Sequence, residues 1–418
     1  MTTTSTPSPR RIRTRVLSVL AALLVLAVGS FYAWRTVATA PAGEPQAVEF
    51  GDASLSGDLT AATVLALGEA THGTSEFQRA RLVLTQKVAD EGFTTIALEE
   101  PAGSATAVDA WLQGGPGTVE EAAAQFGFSL YRTRETAELL TWIRERNLQR
   151  PERERIRLYG IDMQRPEADK RVVLDWLGQV DPAAAAGFAE RLGALTEETD
   201  RDRDLSATVL PTVHELADAV EAAAAGRDDD ATLRARWSAR SLVAGREYTL
   251  AGSTAADRDA IMADQLAWLV DRRAEVGGAH TLLFGHNGHL DRAGQASAVP
   301  GAKLGQLAAQ RWGRAYRAIG TDGHHVGFRS SGEDFEVTVN SPIRGIFADT
   351  TVGWLEVAGA SATNRSVLER SMPMVSAGVG FAPWQAWLAP FHEVQVTPTE
   401  AWDAVIYVSD AHPSAPLA

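Results

Sequence analysis

Glu69, Thr71 and His72 fall within four residues, in Val64-Leu-Ala-Leu-Gly-Glu-Ala-Thr-His-Gly73. A carboxylate beside an imidazole can orient the ring while the ring takes a proton from water, and the water then attacks a carbonyl. The same donors could instead hold a divalent metal that activates the water. A second dense stretch is Phe284-Gly-His-Asn-Gly-His-Leu-Asp-Arg292, where His286 and His289 flank Asn287 and Gly288. A lone histidine after a strand is more often a hydrogen-bonded structural residue than a catalyst. What lifts these above that reading is the grouping: an acid with a histidine in the first stretch, two histidines between glycines in the second.

Both stretches leave short apolar runs, Val64–Leu67 and Thr281–Phe284, that read as buried strands. Other runs end the same way. Phe93–Leu98 ends at Glu99-Glu100, Ile156–Ile161 at Asp162, and Tyr316–Ile319 leads to Asp322. Successive strands with helices between them argue a parallel sheet covered on its faces. Ligands of such sheets bind at the carboxyl ends of the strands. Glu69, His72, Glu99, Asp162, His286, His289 and Asp322 are therefore expected on one rim, with Glu100 turned the other way. His324 and His325 are expected in a surface loop after Gly323.

Helices are expected over Glu76–Asp90, Thr136–Arg146 and Asp257–Arg273. No convincing strand falls between about residues 167 and 273, where alanine runs and helical spacing prevail. The fold class is α/β, a parallel-rich central sheet flanked by helices with a mostly helical insertion lobe. The core is expected over 57–165 and 275–418, with the lobe over 166–274. Phe335–Val339 alternates like an edge strand, Ala404–Val408 reads as a last buried strand, and Trp111, Trp142 and Trp268 read as packing residues.

Composition narrows the chemistry. A formal net charge of −14 argues against nucleic acid, whose phosphates need a basic stripe. With no cysteine there is no disulfide, thiolate site or cysteine nucleophile. There is no Gly-x-Ser-x-Gly elbow, dinucleotide fingerprint or phosphate loop. Nor is there a His-Glu-x-x-His pair, so the metal alternative rests on residue type alone. At the N-terminus, Arg10, Arg11, Arg13 and Arg15 precede the 19-residue uncharged run Val16–Trp34. That length crosses a bilayer as a helix, and the arginines put the N-terminus inside. Residues 1–35 thus read as a cytoplasmic tail and single-pass membrane anchor that leaves the rest outside, or as a signal peptide cleaved from a secreted chain. Residues 36–56, with Pro41, Gly43 and Pro45, read as a linker.

The motifs resemble the erythromycin esterase family. The resemblance is carried by Gly68-Glu-Ala-Thr-His-Gly73 with Glu76-Phe77, Ile96-Ala-Leu-Glu99, Tyr131-Arg-Thr-Arg-Glu135 with Trp142 and Asn147, Gly160-Ile-Asp162 with Gln164, Arg258-Asp259 with Met262-Ala263, and Gly285-His-Asn-Gly-His289. They follow the family's order from about residue 60 to 325. The resemblance implies a cleft between an α/β core and a helical lobe, and hydrolysis of an ester or lactone, the type case being the erythromycin macrolactone. It implies that His72 is the base that activates water and that Glu69 and Glu99 orient and polarise the site. Arg258, His286 and His289 would bind substrate and stabilise the oxyanion, with Arg132, Asp162 and Asn287 as further substrate contacts. Tyr131 stands where the family often has tryptophan and Arg134 where an acid is common, departures expected near the cleft. No cofactor is implied. The alternatives are a metal-dependent hydrolase on the same cluster and a non-catalytic surface binding protein.

Overall fold

The computed structural model describes residues 30, 35–275, 277–278 and 280–417. Its centre is a nine-stranded sheet built from β1 (Val48–Glu49), β2 (Val64–Glu69), β3 (Phe93–Pro101), β4 (Arg157–Asp162), β5 (His280–His286), β6 (Tyr316–Ser330), β7 (Glu333–Thr338), β8 (Val352–Glu356) and a last strand, Ala404–Ala411. The order is β1, β8, the last strand, β6, β2, β5, β3, β4, with β7 paired to β6. The pairs from the last strand through β6, β2, β5 and β3 to β4 are all parallel. β1, β7 and β8 pair antiparallel. The central strands are apolar throughout because helices cover both faces. Val64, Ala66 and Leu283 pack in one layer, Leu65, Leu67, Leu282 and Phe284 in the other. The α/β expectation with its helical lobe holds.

Differences from the expected elements have local causes. β6 runs eleven residues past Ile319, because β7 and the last strand pair with its second half. His324 and His325 therefore lie within a strand, not a loop, and His324 Nδ1 meets the Val339 carbonyl at 2.9 Å. Asp322 is likewise interior to β6 and fully buried, accepting the Val375 N–H at 2.9 Å, away from the rim. The stretch 36–56, expected as a linker, packs down. β1 pairs with β8, Phe50 stacks on Trp354, and the Ala42 N–H reaches the Pro342 carbonyl. The lobe itself comprises helices 166–180, 182–191, 203–223 and 230–251 around their own core of Val173, Trp176, Leu216 and Leu242. Helix Ala255–Glu275, expected as the lobe's end, joins the main core through Met262, Leu266 and Leu269. A two-stranded sheet, β9 (Met372–Val375) with β10 (Glu393–Val396), was not expected; the last strand of the large sheet is accordingly β11. Among the described residues no helix is long and apolar enough to cross a membrane. The run Val16–Trp34, expected to do so, lies outside the described residues apart from Ser30.

Candidate active site

β2 and β5 are neighbours in register, which sets Glu69 beside His286 at their carboxyl ends. Gly68 must be glycine here, since a Cβ would stand 2.2 Å from Asn287 Oδ1. The chain then turns at Gly73, which has φ +79° and lies against the Arg329 backbone, a conformation and a closeness that favour glycine. Between them His72 is fixed at both ends. Its N–H donates to the Ala377 carbonyl at 3.2 Å, and its Nδ1 lies 2.7 Å from Glu69 Oε1. The other Glu69 oxygen meets Arg81 Nη2 at 2.9 Å. Burial alone would raise the Glu69 pKa, but Arg81 and His72 outweigh it and hold it low. Burial would lower that of His72, but the Glu69 hydrogen bond and the charges of Glu69 and Glu99 raise it. A carboxylate acceptor gives His72 the Nδ1–H form, and its Nε2 has no protein partner among the described residues.

Beside this pair sits a second network. Arg258, from helix Ala255–Glu275, donates to Asp162 Oδ2 through Nε at 2.9 Å and to Glu99 Oε1 through Nη2 at 2.8 Å. Its Nη1 lies 3.1 Å from His289 Nε2, while His289 Nδ1 lies 2.6 Å from Asp259 Oδ1. The same His289 Nε2 stands 3.4 Å from Glu99 Oε1, so the ring lies between a guanidinium and two carboxylates. Lys303 Nζ stands 3.7 Å from the other Asp259 oxygen. Glu99 Oε2 accepts the His286 backbone N–H at 2.9 Å. Burial would raise the Glu99 carboxyl, but His289, Arg258 and His72 hold it well below its ordinary value. His286 has no free nitrogen: Nδ1 accepts the Gly288 N–H and Nε2–H donates to the Ala70 carbonyl, both at 3.1 Å. Burial, with His72 and His289 nearby, pushes its pKa down to about 3, so it stays neutral. Its ring centre is 4.9 Å from that of His72.

His72, Glu99, Arg258, His286, His289 and Lys303 line one cleft of about 880 Å³, whose opposite wall carries Arg165, Glu197 and Arg201 of the lobe side. The other expected contacts lie elsewhere. Asp162 is buried as the anchor of Arg258. Asn287 is a latch between strands, its Nδ2 donating to the Thr321 carbonyl at 2.7 Å. Arg132 turns away to the Phe126 carbonyl, and Arg134 is exposed outside the cleft. Tyr131 is buried, its hydroxyl donating to the Glu99 carbonyl at 3.1 Å. Glu100 points away from the cleft, as expected, and accepts the Gly127 and Phe128 N–H groups. Thr71 bonds locally, to Thr74. Arg81, Asp259 and Lys303 were not singled out as site residues. A signal for the first two existed: Arg81 falls on the stripe Phe77, Leu84, Val88, and Asp259 on the stripe Met262, Leu266, Leu269. A charge on an apolar helix face must be paired when buried.

His286 and His289 have both ring nitrogens engaged by protein groups, and among the described residues no three His, Asp or Glu side chains converge to hold an ion.

The described fold recurs in solved structures. A Bacillus cereus protein shares it at TM-score 0.73 and 19% identity, over 90% of this chain and 97% of its own. A succinoglycan biosynthesis protein does so at 0.71 and 18%, over 86% and 91%. A mutant of the erythromycin esterase EreC, in its open conformation, does so at 0.57 and 18%, over 85% and 92%. At these identities the likeness is one of fold. The family model for erythromycin esterase matches residues 88–411, which takes in Glu99, Arg258, His286 and His289 and begins after Glu69 and His72. By that match the chain belongs to the erythromycin esterase family.

Proposed function

We propose that this protein cleaves a carboxylic ester or lactone with a water molecule activated by His72. The observation that carries the reading is the asymmetry of the His72 ring: Nδ1 is tied to a buried, arginine-paired carboxylate, and Nε2 is unpartnered in a ring that lines the cleft. A water at Nε2 loses its proton to the ring as its oxygen attacks the carbonyl carbon. The tetrahedral oxyanion forms against Arg258, whose cationic head lines the same cleft. As the C–O bond breaks, His72 returns the proton to the leaving oxygen, giving acid and alcohol. Glu99 and Asp162 hold Arg258 in place; His286, neutral, and His289 complete the wall.

The test is a hydrolysis screen of simple esters, lactones and macrolides with wild type and His72→Ala, each with and without chelator. Turnover by the wild type that chelator spares and His72→Ala abolishes supports the reading. Turnover retained by His72→Ala sinks it. Loss of wild-type activity to chelator, restored by zinc or manganese, replaces it with the metal-dependent alternative.

A further inference from the structure

From Ser371 to Phe391 the chain carries no charged side chain. Part of this run is β9, which is buried. The rest is a loop that puts large apolar groups in water: Trp387 is 83% exposed, with Trp384, Leu388 and Phe391 between 43% and 50%. Trp384 and Phe391 pack edge to face at 4.7 Å, so the aromatic surface is one patch and not scattered side chains. Scattered exposed apolar residues need no explanation, but a contiguous aromatic patch marks an interaction site.

Its place in the molecule says with what. The helical turn at residues 35–38 and this loop line the same groove, of about 1080 Å³. Arg35 is fixed there by Glu393, with its Nη2 2.6 Å from Oε2. Val37 on the same turn is 78% exposed. Arg35 is also the residue that follows the 19-residue uncharged run Val16–Trp34. The sequence thus passes from a bilayer-length apolar run into the globule beside Trp387, the most exposed tryptophan among the described residues. Indole rings, apolar with one polar edge, collect at the headgroup level of membranes.

We propose that the loop Val379–Phe391 is a membrane-docking surface, with Trp384, Trp387, Leu388 and Phe391 seated at the boundary between headgroups and acyl chains. The occupant is a lipid bilayer. Docking carries the cleft with it, because Ser297 and Ala298 line both the groove and the cleft that holds His72, and Val379 lines that cleft too.

The experiment uses the full chain reconstituted into phosphatidylcholine vesicles, with or without bromine on the acyl chains, and reads tryptophan emission. Wild type should be quenched in brominated vesicles, and Trp384→Ser/Trp387→Ser should lose a clearly smaller share of its emission. A cooperative thermal transition within a few degrees of wild type checks that the double variant folds; if it does not, Trp387→Phe, which keeps an aromatic ring at the site, takes its place. Equal quenching in wild type and variant overturns the proposal, since the lost light would come from other indoles. So does a wild type that binds vesicles unquenched, or none that binds at all. A dimer in detergent that these substitutions convert to monomer overturns it in favour of a second copy of the chain on this face.

Discussion

At the scale of single residues, His72 should dominate the rate. General-base removal typically slows a reaction about 10²- to 10⁴-fold, so His72→Ala should fall in that range in kcat/KM, read by steady-state hydrolysis of whichever ester the wild type cleaves. The base works unprotonated, and its neighbours raise its pKa above the ordinary imidazole value of 6.5. The kcat/KM profile should therefore climb with pH and level off above that value. Glu69→Gln removes both the hydrogen-bonded carboxylate and its charge, so the inflection should move to lower pH while the plateau drops; an inflection that stays put or moves up contradicts the pairing. The sequence exposed this pair well because both partners sit within one four-residue stretch. Of the second network it marked Glu99, Asp162, Arg258 and His289 but gave no role to Asp259 or Lys303. Arg258 and Asp259 are neighbours on one helix and both reach His289, while Lys303 joins from another segment through Asp259; only the buried stripe of helix Ala255–Glu275 hinted that Asp259 faces inward.

Strands and turns explain the rest of what was and was not legible. Short apolar runs ending at a glycine or an acid marked β2, β3, β4 and β5, the four strands whose ends build the site. Antiparallel additions such as β1, β8 and β9 are short and take their pairing from distant segments, which no local pattern records. Gly68 shows how tightly the strand ends are fitted. In Gly68→Ala the new Cβ would press on Asn287, whose amide bridges to Thr321. Overpacking of that kind costs about 1–3 kcal/mol, to be read as a lower denaturation midpoint with a matching loss of activity. β6 offers a pH test. Burial pushes the Asp322 pKa up to about 7 although the Val375 N–H stabilises its charged form. The folded chain then holds a proton that the unfolded chain has released, between the ordinary value of 3.8 and about 7. Stability must fall as pH rises across that window and stay low above it. Asp322→Asn keeps an oxygen for the Val375 N–H but has nothing to ionise. Its denaturation curve should lose this slope and be more stable than wild type at pH 8; a slope unchanged from wild type would place the titration elsewhere.

For the whole molecule, the chemistry and the walls of the cleft come from separately built parts. Glu99 and His286 stand on strands, His72 and His289 on the short turns that follow β2 and β5, and Arg258 on a helix packed into the sheet's own core. The facing wall at residues 164–201 borders the lobe, whose core of Val173, Trp176, Leu216 and Leu242 is distinct. Nothing on that wall is bonded to His72 or Glu69, so its side chains can act on the bound substrate without touching the proton path. Arg201 is exposed at this wall and Glu198 beside it. Interactions made equally in ground and transition states change KM and leave kcat alone. Arg201→Ala and Glu198→Ala should therefore shift KM severalfold, and by different amounts for different esters, while kcat stays within about twofold. Steady-state kinetics on two or three substrates separates the cases. If either substitution lowered kcat as far as His72→Ala does, the lobe would have to belong to the reacting centre, and the division between a fixed catalytic sheet and a selective lobe would be wrong.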